Sequence, residues 1–555
     1  MEALTCIMKK ACSIGLFKGI QIPTQGPVLS HFIYADDVIF IGEWSTQNAL
    51  NLNRILRCFY LSSGLRVNLA KSSMFGVGVD QAHVHMMASV LRCKPGIFPF
   101  KHLGLQVGAN MNLIKNWDPV VNMFKKRLAL WKANTLSFGG RIMLVKSVLN
   151  ALPTYYFSLY KAPCHVIKQL ERLRREFLWG VSPVQNKTNW VAWKSVMTPK
   201  DFGGLGFGSL REANVAMLAK WGWRFKVDQN SLWRKVIWCL HNNSRTWNFI
   251  PVKLSVPGPW KQVVKVSSDL EALGINISSL FRGTPGCDSV IYFWREPWLL
   301  EDPLCSRYPN LFLLERKKNV LVSDRVKVVG GEVTLELNGV RQLVHPTEVT
   351  EFQSLSAAIM SFGFGSGVDK WVWKPDQSGY FSVASFRRLI ERMTFSDLGI
   401  RFEWNAWVPL KVNFLVWRLA LNRLPTVENL ERRNIIIENV RCSLCGEMDE
   451  TFSHLFVECH VAENVWDFVI VWCKIRPFFF LELKDLINVQ NGFRGSARWR
   501  RVIWSIIQET IWVVWKSRNE SVFRHKQVNL GRIKEEIKTL SYLWIKSRAK
   551  RVTLS

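Results

Sequence analysis

One short stretch near the C-terminal end of the chain carries a dense set of metal-binding side chains. Cys442 and Cys445 are separated by two residues, His454 follows after eight more, and Cys459 after another four. Thiolates and imidazoles are the ligands of tetrahedral Zn²⁺, and four of them close the site without leaving a position for water. The spacing therefore predicts a structural zinc site, with Gly446 in the turn after the second cysteine.

Two other interpretations of this cluster stay open. The first treats the three cysteines as unrelated core thiols beside a surface histidine, and the second replaces one of the four ligands by His460. In every case a closed site has no room for a substrate. The predicted metal therefore stabilises a small fold and is not expected to catalyse a reaction.

Chain length and the other cysteines bound the class of protein. A chain of 555 residues exceeds what one hydrophobic core supports, so several domains are expected. Its twelve cysteines are scattered apart from the cluster, which argues against a secreted disulfide framework and for an intracellular location, nuclear or cytoplasmic. The most apolar late stretch, 502–515, is too short to span a bilayer, and no membrane partner is expected.

The charge balance favours a polyanionic partner. There are 74 Lys and Arg against 43 Asp and Glu, which gives a formal net charge of +31. Such a surplus attracts nucleic acid along a binding groove, and the 26 tryptophans offer surfaces on which bases stack. RNA and DNA are therefore the predicted partners; a basic ribosome-associated protein and a membrane-surface protein are the alternatives.

Two helical segments hold much of the positive charge. Residues 115–146 contain seven Lys or Arg against one Asp, and residues 494–551 contain fifteen against four Glu. Trp131 and Trp499 lie beside these residues as potential stacking surfaces. The alternative is that both segments are only solvated helix faces. The candidate nucleic-acid contacts are Lys125, Lys126, Arg127, Arg141, Arg498, Arg500 and Arg501.

Residues 31–41 read HFIYADDVIFI, two apolar β-rich segments around a pair of aspartates. This pattern predicts a tight hairpin with Asp36 and Asp37 at its turn. As a simple turn, it would use the tolerance of Asp for left-handed backbone, and the residues alone favour this interpretation. As a metal site, its carboxylates would bind Mg²⁺, a hard ion that prefers oxygen ligands.

Local periodicity places further elements. Helices are expected at 1–16, from Ser45 to Gly64, around 414–421 and over most of the chain after Gly492. Strands are expected at 65–79 and 379–383.

The sequence around the aspartates resembles the palm of reverse transcriptases. The segment HFIYADD at 31–37 is similar to the hairpin motif of that family. The segment SGLRVN at 63–68, with KS at 71–72, is similar to the family's next motif, and KHLGL at 101–105 is similar to its primer grip. Segments at 136–141, 148–149, 153–155, 177–180 and 199–206 resemble the thumb of plant LINE-type, non-LTR retrotransposons. The resemblance implies RNA-directed DNA polymerase ancestry with catalytic Asp36, Asp37 and Lys71, Mg²⁺ as cofactor and deoxynucleoside triphosphates as the small-molecule substrates.

One departure from this family bears on activity. The family's polymerases use a further aspartate on an upstream strand and a segment that contacts nucleotide and template. No segment of the 33 residues before Tyr34 resembles the upstream aspartate strand or the nucleotide-contacting segment, and Glu2 is the lone acid there. Without one bridging ligand Mg²⁺ should bind weakly, and the two carboxylates should repel each other. The chain is therefore expected to be a truncated reverse transcriptase that is inactive as it stands.

The stretch around the cysteine cluster resembles the zinc-binding domain of reverse transcriptases. The similarity covers about residues 370–470 and includes YFSV at 380–383, WNAWVPLKV at 404–412, LPT at 424–426 and Trp466. It implies structural Zn²⁺ on the four ligands named above.

These patterns together predict an α+β multidomain protein. The expected order is a partial palm at 1–110, a helical thumb-like region at 111–229, a connector at 230–368, the zinc-binding domain at 369–475 and a basic helical region at 476–555. The expected function is that of a truncated, retrotransposon-derived reverse transcriptase. The alternatives are a non-catalytic, zinc-dependent nucleic-acid-binding protein and an inert relic that does not fold stably.

Overall fold

The computed structural model describes residues 2–130, 136–180, 189–242, 250–286, 289–329, 332–365, 367–400, 402–476, 486 and 495–549. About half of these residues are helical, and the fold is mixed α/β. The chain divides into two compact units, and each is assembled from three separate stretches. The first unit consists of Met1–Val121, Pro153–Ile167 and Arg211–Ile390, and the second of Asn122–Leu152, Lys168–Leu210 and Glu391–Ser555.

Helices of the first unit are mostly short. The α-helices are Glu2–Ser13, Thr46–Ser63, Gln81–Leu91, Thr154–Phe157, Leu232–His241, Trp260–Glu271, Leu304–Arg307, Pro309–Leu314, Val322–Arg325 and Pro346–Met360. Three 3₁₀ turns lie at Leu69–Lys71, Ile114–Trp117 and Ser278–Leu280. Four further helices cross the boundaries between the stretches, at Asp118–Leu130, Cys164–Trp179, Leu210–Val227 and Val383–Thr394.

Strands of the described residues lie in the first unit and pair only two by two. The pair Ser73–Met74 with Lys94–Pro95 is parallel and the other five are antiparallel. The antiparallel pairs are Ile20–Gln21 with Val28–Leu29, His31–Tyr34 with Asp37–Phe40, Phe100–His102 with Leu105–Val107, Phe281–Thr284 with Lys370–Trp373, and Val326–Val329 with Glu332–Leu335.

A small N-terminal core supports the hairpin that carries the two aspartates. Leu4, Met8 and Phe59 are buried in it, and Ile33 and Val38 of the hairpin pack against them. The second helix begins as the sequence indicates, because the Ser45 side chain accepts a hydrogen bond from the backbone N–H of residue 48, and Gly64 ends it with a left-handed φ of 72°.

The largest core of the first unit comes from the segment expected to be a connector. Buried residues between 215 and 390 form one cluster that is rich in aromatic rings. The indoles of Trp294, Trp298 and Trp373 are fully buried within it. Aromatic rings bury large areas and pack edge to face, so short and irregular elements are sufficient to enclose this core.

A buried ion pair lies inside this core. Arg325 donates to both carboxylate oxygens of Glu315, at 3.0 and 2.9 Å, and Trp294 Nε1 donates to the same carboxylate at 3.2 Å. The side chains of Arg325 and Glu315 are only 9% and 1% exposed. Each charge is therefore stabilised mainly by the other, because water has little access to either side chain.

The second unit is helical in its described residues. Its α-helices are Phe138–Leu144, Trp193–Met197, Leu410–Ala420, Val427–Glu431, His460–Cys473, Ala497–Arg524 and Leu530–Ala549, with π-helical turns at Val145–Leu149 and His454–Glu458 and a 3₁₀ turn at Lys200–Phe202. The 28-residue helix Ala497–Arg524, here named the long helix, buries its middle against its neighbours Leu410–Ala420 and Leu530–Ala549. No helix among the described residues is long and apolar enough to cross a membrane.

Two expected strands are wrong. Most of 65–79 does not form a strand, because the Asn68 side chain accepts from Lys71 N and caps a 3₁₀ turn, which leaves only Ser73–Met74 paired. Residues 379–383 do not pair either. The Ser382 hydroxyl accepts from Ser385 N at the start of a helix, and the neighbouring strand is Lys370–Trp373 instead. In both places a side-chain cap prevails over β propensity.

We expect Arg325→Met to lower the free energy of unfolding of the first unit by about 3–5 kcal/mol, because it leaves the Glu315 carboxylate buried without a partner. The matched control is Lys327→Met, whose partner Glu336 and whose own side chain are both more than half exposed. That variant should lose less than about 1 kcal/mol. Urea unfolding followed by tryptophan fluorescence measures both, and equal losses would contradict the assignment.

Candidate metal centre and nucleic-acid interface

The structure brings the four predicted metal ligands together. The sulfurs of Cys442, Cys445 and Cys459 and a ring nitrogen of His454 all lie within 4.8 Å of one another. Cys445 Sγ is 3.3 Å from His454 Nε2. Cys442, His454 and Cys459 are buried, and Cys445 is partly exposed.

The first two ligands lie on a tight turn between two short extended segments. Cys442 N donates to Met448 O at 2.7 Å, and Gly446 N donates to Cys442 O at 2.7 Å. Gly446 has a φ of +78°, a conformation that costs glycine least. The turn therefore holds the sulfurs of Cys442 and Cys445 on one side, as the spacing predicts.

The other two ligands flank a π-helical turn. His454 begins the turn His454–Glu458, and Cys459 directly precedes the helix His460–Cys473 as its N-cap. Cys459 N donates to His454 O at 2.8 Å. The wider π turn sets the separation between the His454 imidazole and the Cys459 sulfur.

Hydrogen bonding prepares Cys459 to bind as a thiolate. The Cys442 thiol donates to the Cys459 sulfur, which raises the pKa of Cys442 and lowers that of Cys459. Backbone N–H groups of Ala462 and Val461 lower the pKa of Cys459 further, although burial opposes them. Cys459 is therefore the first of the two sulfurs to ionise, and the thiolate is the form that binds metal.

Zinc fits this donor set. Ligand atoms on a tetrahedral Zn²⁺ lie roughly 3.5–3.8 Å apart, given metal–ligand distances of about 2.0–2.3 Å. The observed separations need only small side-chain adjustments to reach that range. Three sulfurs and one imidazole are also the soft and borderline donors that select zinc over Mg²⁺ or Ca²⁺. The cluster supports a structural zinc site.

His460, considered as an alternative ligand, lies outside this set. Its Nδ1 is 3.3 Å from Glu447 Oε2, and both side chains are about half exposed or more. Together with Cys445 they form a second group of potential ligands on the surface of the same turn. His454 is thus the histidine that completes the buried set.

The metal centre is connected to the long helix by a buried ion pair. Arg518 Nη2 lies 2.5 Å from Glu450 Oε1, with side chains only 4% and 1% exposed. The same carboxylate accepts from Val427 N at 3.1 Å. Ser521 Oγ also donates to Ser443 O, between the first two cysteines, at 3.0 Å. These contacts fix the cysteine turn against the long helix.

The structure places Asp36 and Asp37 at the turn of the predicted hairpin. Tyr34 pairs with Asp37, so Ala35 and Asp36 are the two turn residues. The left-handed residue is Ala35, with a φ of +52°, and not an aspartate, which corrects the expected role of Asp in this turn. Both carboxylates are exposed.

A divalent-metal site at the hairpin has no support in this geometry. Within the part of the chain that the structure describes, neither aspartate belongs to a group of three potential metal ligands. Lys71, the third candidate catalytic residue, ends a 3₁₀ turn with its side chain exposed.

Six of the seven candidate nucleic-acid contacts are exposed. Arg498, Arg500 and Arg501 lie in the first turns of the long helix, and Lys125, Lys126 and Arg127 lie on the helix Asp118–Leu130. All six belong to the second unit, as does the metal centre. Of the expected stacking residues, Trp499 is partly buried, and Trp131 lies outside the described residues.

Arg141 differs from the other candidates. It is partly buried, its guanidinium carbon lies 5.6 Å from the Phe138 ring centroid, and burial lowers its pKa. It also fills the space where a side chain at Gly180 would stand. Among the exposed candidates, Arg501 also lies over a ring, with its guanidinium carbon 5.4 Å from the Trp407 ring centroid. Arg141 therefore differs from the other six in its burial.

Sequence reasoning missed the residues that hold the centre in place. Glu450 and Arg518 are 68 positions apart, and no local pattern connects them. It also missed Trp190, which has Arg418 and Arg433 within 5.5 and 4.6 Å of its ring centroid. The sequence feature that could have indicated these contacts is an arginine within an otherwise apolar helix, at 418 in one helix and at 518 in another.

Comparison with known proteins agrees with the zinc module. Residues 381–466 match a family described as zinc-binding in reverse transcriptase. A putative ribonuclease H protein of Arabidopsis thaliana is 26% identical over 425 residues, which are 75% of this chain and 65% of that protein. An uncharacterized mitochondrial protein of the same plant is 34% identical over 88 residues, which are 16% of this chain and 57% of that protein.

These likenesses confirm the resemblance in part. They support a retrotransposon-derived protein with a reverse-transcriptase zinc-binding domain, and the buried Cys/His set lies inside the matched segment. The chain spans less than two thirds of the length of either relative. The LINE type and the palm and thumb remain predictions.

We expect one zinc per chain, lost in Cys442→Ser with Cys445→Ser, because two of four ligands then disappear. Metal removal should also loosen the cysteine turn and the adjoining end of the long helix. Elemental analysis and hydrogen exchange measure these effects. His460→Ala is the control and should keep its zinc; zinc loss in that variant with retention in His454→Ala would reverse the ligand assignment.

Proposed function

We propose that this chain is a non-catalytic nucleic-acid-binding protein of retrotransposon origin, which binds RNA and DNA through its second unit. The observation that carries the proposal is the exposure of six cationic side chains, in two helices of the unit that also holds the zinc site. Within the described residues none of the six makes an ion pair. Their charge is available to an external anion.

Physical considerations favour binding with little sequence preference. Cations on exposed helix turns contact phosphates, which are the same in every sequence, and base-edge readout needs side chains that are held in a groove. Each contact releases condensed counterions, so the affinity depends steeply on salt. The match to a zinc-binding domain of reverse transcriptases supports the same class of partner.

We further propose that the first unit contains a vestige of a LINE-type reverse-transcriptase palm. The motif order supports this ancestry, and so does the turn at Ala35. A left-handed alanine costs about 1–2 kcal/mol, and such strain concentrates at functional sites. Polymerisation by this chain is not proposed, because two metal ions need more bridging carboxylates than the exposed pair Asp36 and Asp37 provides.

Changing Lys125, Lys126 and Arg127 together to Gln should weaken nucleic-acid binding and flatten its salt dependence. The parent affinity should fall by roughly 10³–10⁵ between 50 and 200 mM salt if six to ten contacts form on a duplex. The variant should lose about one unit of slope per lost contact, on every sequence alike. Fluorescence anisotropy of labelled RNA and DNA at several salt concentrations provides the measurement.

A matched control for this variant lies in the first unit. Lys9, Lys10 and Lys18 are three exposed lysines, and changing them to Gln removes the same charge. The control should keep the parent slope. Superimposable slopes for all three proteins would leave the helix Asp118–Leu130 without a binding role and favour a solvated face for that helix.

The purified chain should not extend a primer on an RNA template with Mg²⁺ or Mn²⁺, because too few carboxylates surround the hairpin to hold both metals. A primer-extension assay with labelled deoxynucleotides tests this. Template-dependent extension that Asp36→Ala abolishes would overturn the prediction, whereas extension that survives in Asp36→Ala with Asp37→Ala would identify a contaminating polymerase.

A further inference from the structure

A cleft on the second unit, separate from the two basic helices, concentrates hydrogen-bond donors. Its volume is about 90 Å³, it opens to solvent, and it is lined by Trp190, Asn422, Arg423, Asn429, Arg432 and Arg433. The lining residues carry three guanidinium groups, two carboxamides and one indole. Among these lining residues there is no carboxylate. A cleft of this composition suits an anion that has several acceptor oxygens.

The indole of Trp190 organises the cleft together with two arginines. The guanidinium carbons of Arg433 and Arg418 lie 4.6 and 5.5 Å from its ring centroid, within the range of cation–π contact. Arg433 also donates to Asn189 O at 3.2 Å and to Trp190 O at 3.0 Å. These bonds hold Arg433 in one orientation.

The loop at 422–424, which also contributes to the lining of the cleft, is held by further hydrogen bonds. Arg418 donates through Nε and Nη2 to Arg423 O, at 3.0 and 2.6 Å. The buried carboxamide of Asn429 donates to Asn422 Oδ1 at 2.8 Å and to Leu424 O at 2.9 Å. Asn422 itself has a left-handed φ of 51°. The backbone of the cleft is thus arranged before any ligand binds.

Positive charge in the cleft is only partly balanced. Burial, together with the neighbouring Arg433, lowers the pKa of Arg418 to about 10. Burial also lowers the pKa of Arg433, and Arg423 adds to that effect. Arg418 and Arg433 stay protonated at neutral pH, and their charges repel each other. Glu428 pairs with Arg432 at 2.5 Å, and Arg423 has no ion pair within the described residues.

Phosphate is the anion that this arrangement fits. Planar guanidinium groups bind phosphate oxygens through paired N–H donors. Arg432 and Arg423 are exposed, whereas Arg433 is partly buried. A phosphodiester that enters would relieve the repulsion among the guanidinium groups without displacing the hydrogen bonds that build the cleft.

We propose that this cleft binds a backbone phosphate of RNA or DNA. The inference rests on the proposed function and deepens it, because it assigns a preformed phosphate site to the zinc-bearing part of the second unit. Exposed helix cations attract nucleic acid from many directions, but a fixed cleft holds one phosphate at one place. The cleft therefore sets the register of the strand on the protein.

The test replaces the two exposed arginines and leaves the framework intact. Arg423→Gln with Arg432→Gln removes two donors whose side chains do not hold the loop. The matched control is Lys168→Gln with Arg172→Gln, exposed positions of the same unit that lie outside the cleft. Each pair removes two charges and one helical i,i+4 ion pair, Arg432 with Glu428 or Arg172 with Glu176. Zinc content and thermal melting confirm that both variants fold.

Binding of a labelled single-stranded 20-mer is measured against salt concentration. The cleft variant should bind about tenfold more weakly at physiological salt, with a salt slope smaller by about 1.4 for two contacts on a single strand. The control should change by less than about twofold. Phenylglyoxal, which modifies arginines, should react with Arg423 and Arg432 in the free protein and be blocked there by the oligonucleotide, whereas Arg172 should react equally in both.

The outcomes separate this inference from the proposed function. Equal slopes for the cleft variant and the control, with a parent that binds, overturn the cleft and leave the proposed function standing. A parent that does not bind the oligonucleotide at all overturns both. Vesicles that contain phosphatidylserine test the other source of phosphate: cleft-dependent binding to vesicles, with oligonucleotide binding unchanged in the variant, would also overturn the nucleic-acid assignment.

Discussion

The ion pair between Glu450 and Arg518 couples the metal centre to the rest of the second unit. Both groups are almost completely buried, and a charge in that position costs several kcal/mol without its partner. The pair joins the end of the cysteine turn to the long helix at a defined residue. Eighteen residues at about 1.5 Å each separate Arg518 from Arg500, so the cysteine turn also determines where the basic end of the helix lies, roughly 27 Å away. A metal held at the cysteine turn would thereby help to orient the basic end of the long helix without touching it.

A second buried group on the same helix shows how this core tolerates polar atoms. Glu509 is fully buried, and burial raises its pKa to about 9, with Glu536 adding to the rise. It is therefore a neutral acid at physiological pH, which costs less to bury than a carboxylate. Nearby, Asn405 donates to Ser505 Oγ at 2.8 Å and accepts from Trp407 N at 3.0 Å. The helix packing thus combines apolar contacts with a few specific polar ones.

What the sequence could predict depended on how local each feature is. The zinc ligands lie within eighteen residues, and the hairpin aspartates within one turn, so spacing alone located them. The aromatic core between 215 and 390 was not foreseen, because its contacts join short elements that are far apart in sequence. The bond from Arg433 to Trp190 O spans 243 positions, which no periodicity can indicate. The strand expected at 65–79 was wrong because the apolar residues of this segment favour a strand in the sequence. The single capping residue Asn68, which starts the 3₁₀ turn, gives a much weaker sequence signal.

The discontinuity of the two units has a consequence for how the protein is made. Residues 122–152 leave the ribosome early, yet most of the unit to which they belong begins only at 391. During synthesis several hundred residues therefore follow this cationic stretch before all the other segments of its unit have been made. Contacts of such long range form slowly and expose apolar surface in the meantime, which is a situation that chaperones manage. Fragments cut at linear boundaries would leave each unit without part of its own core.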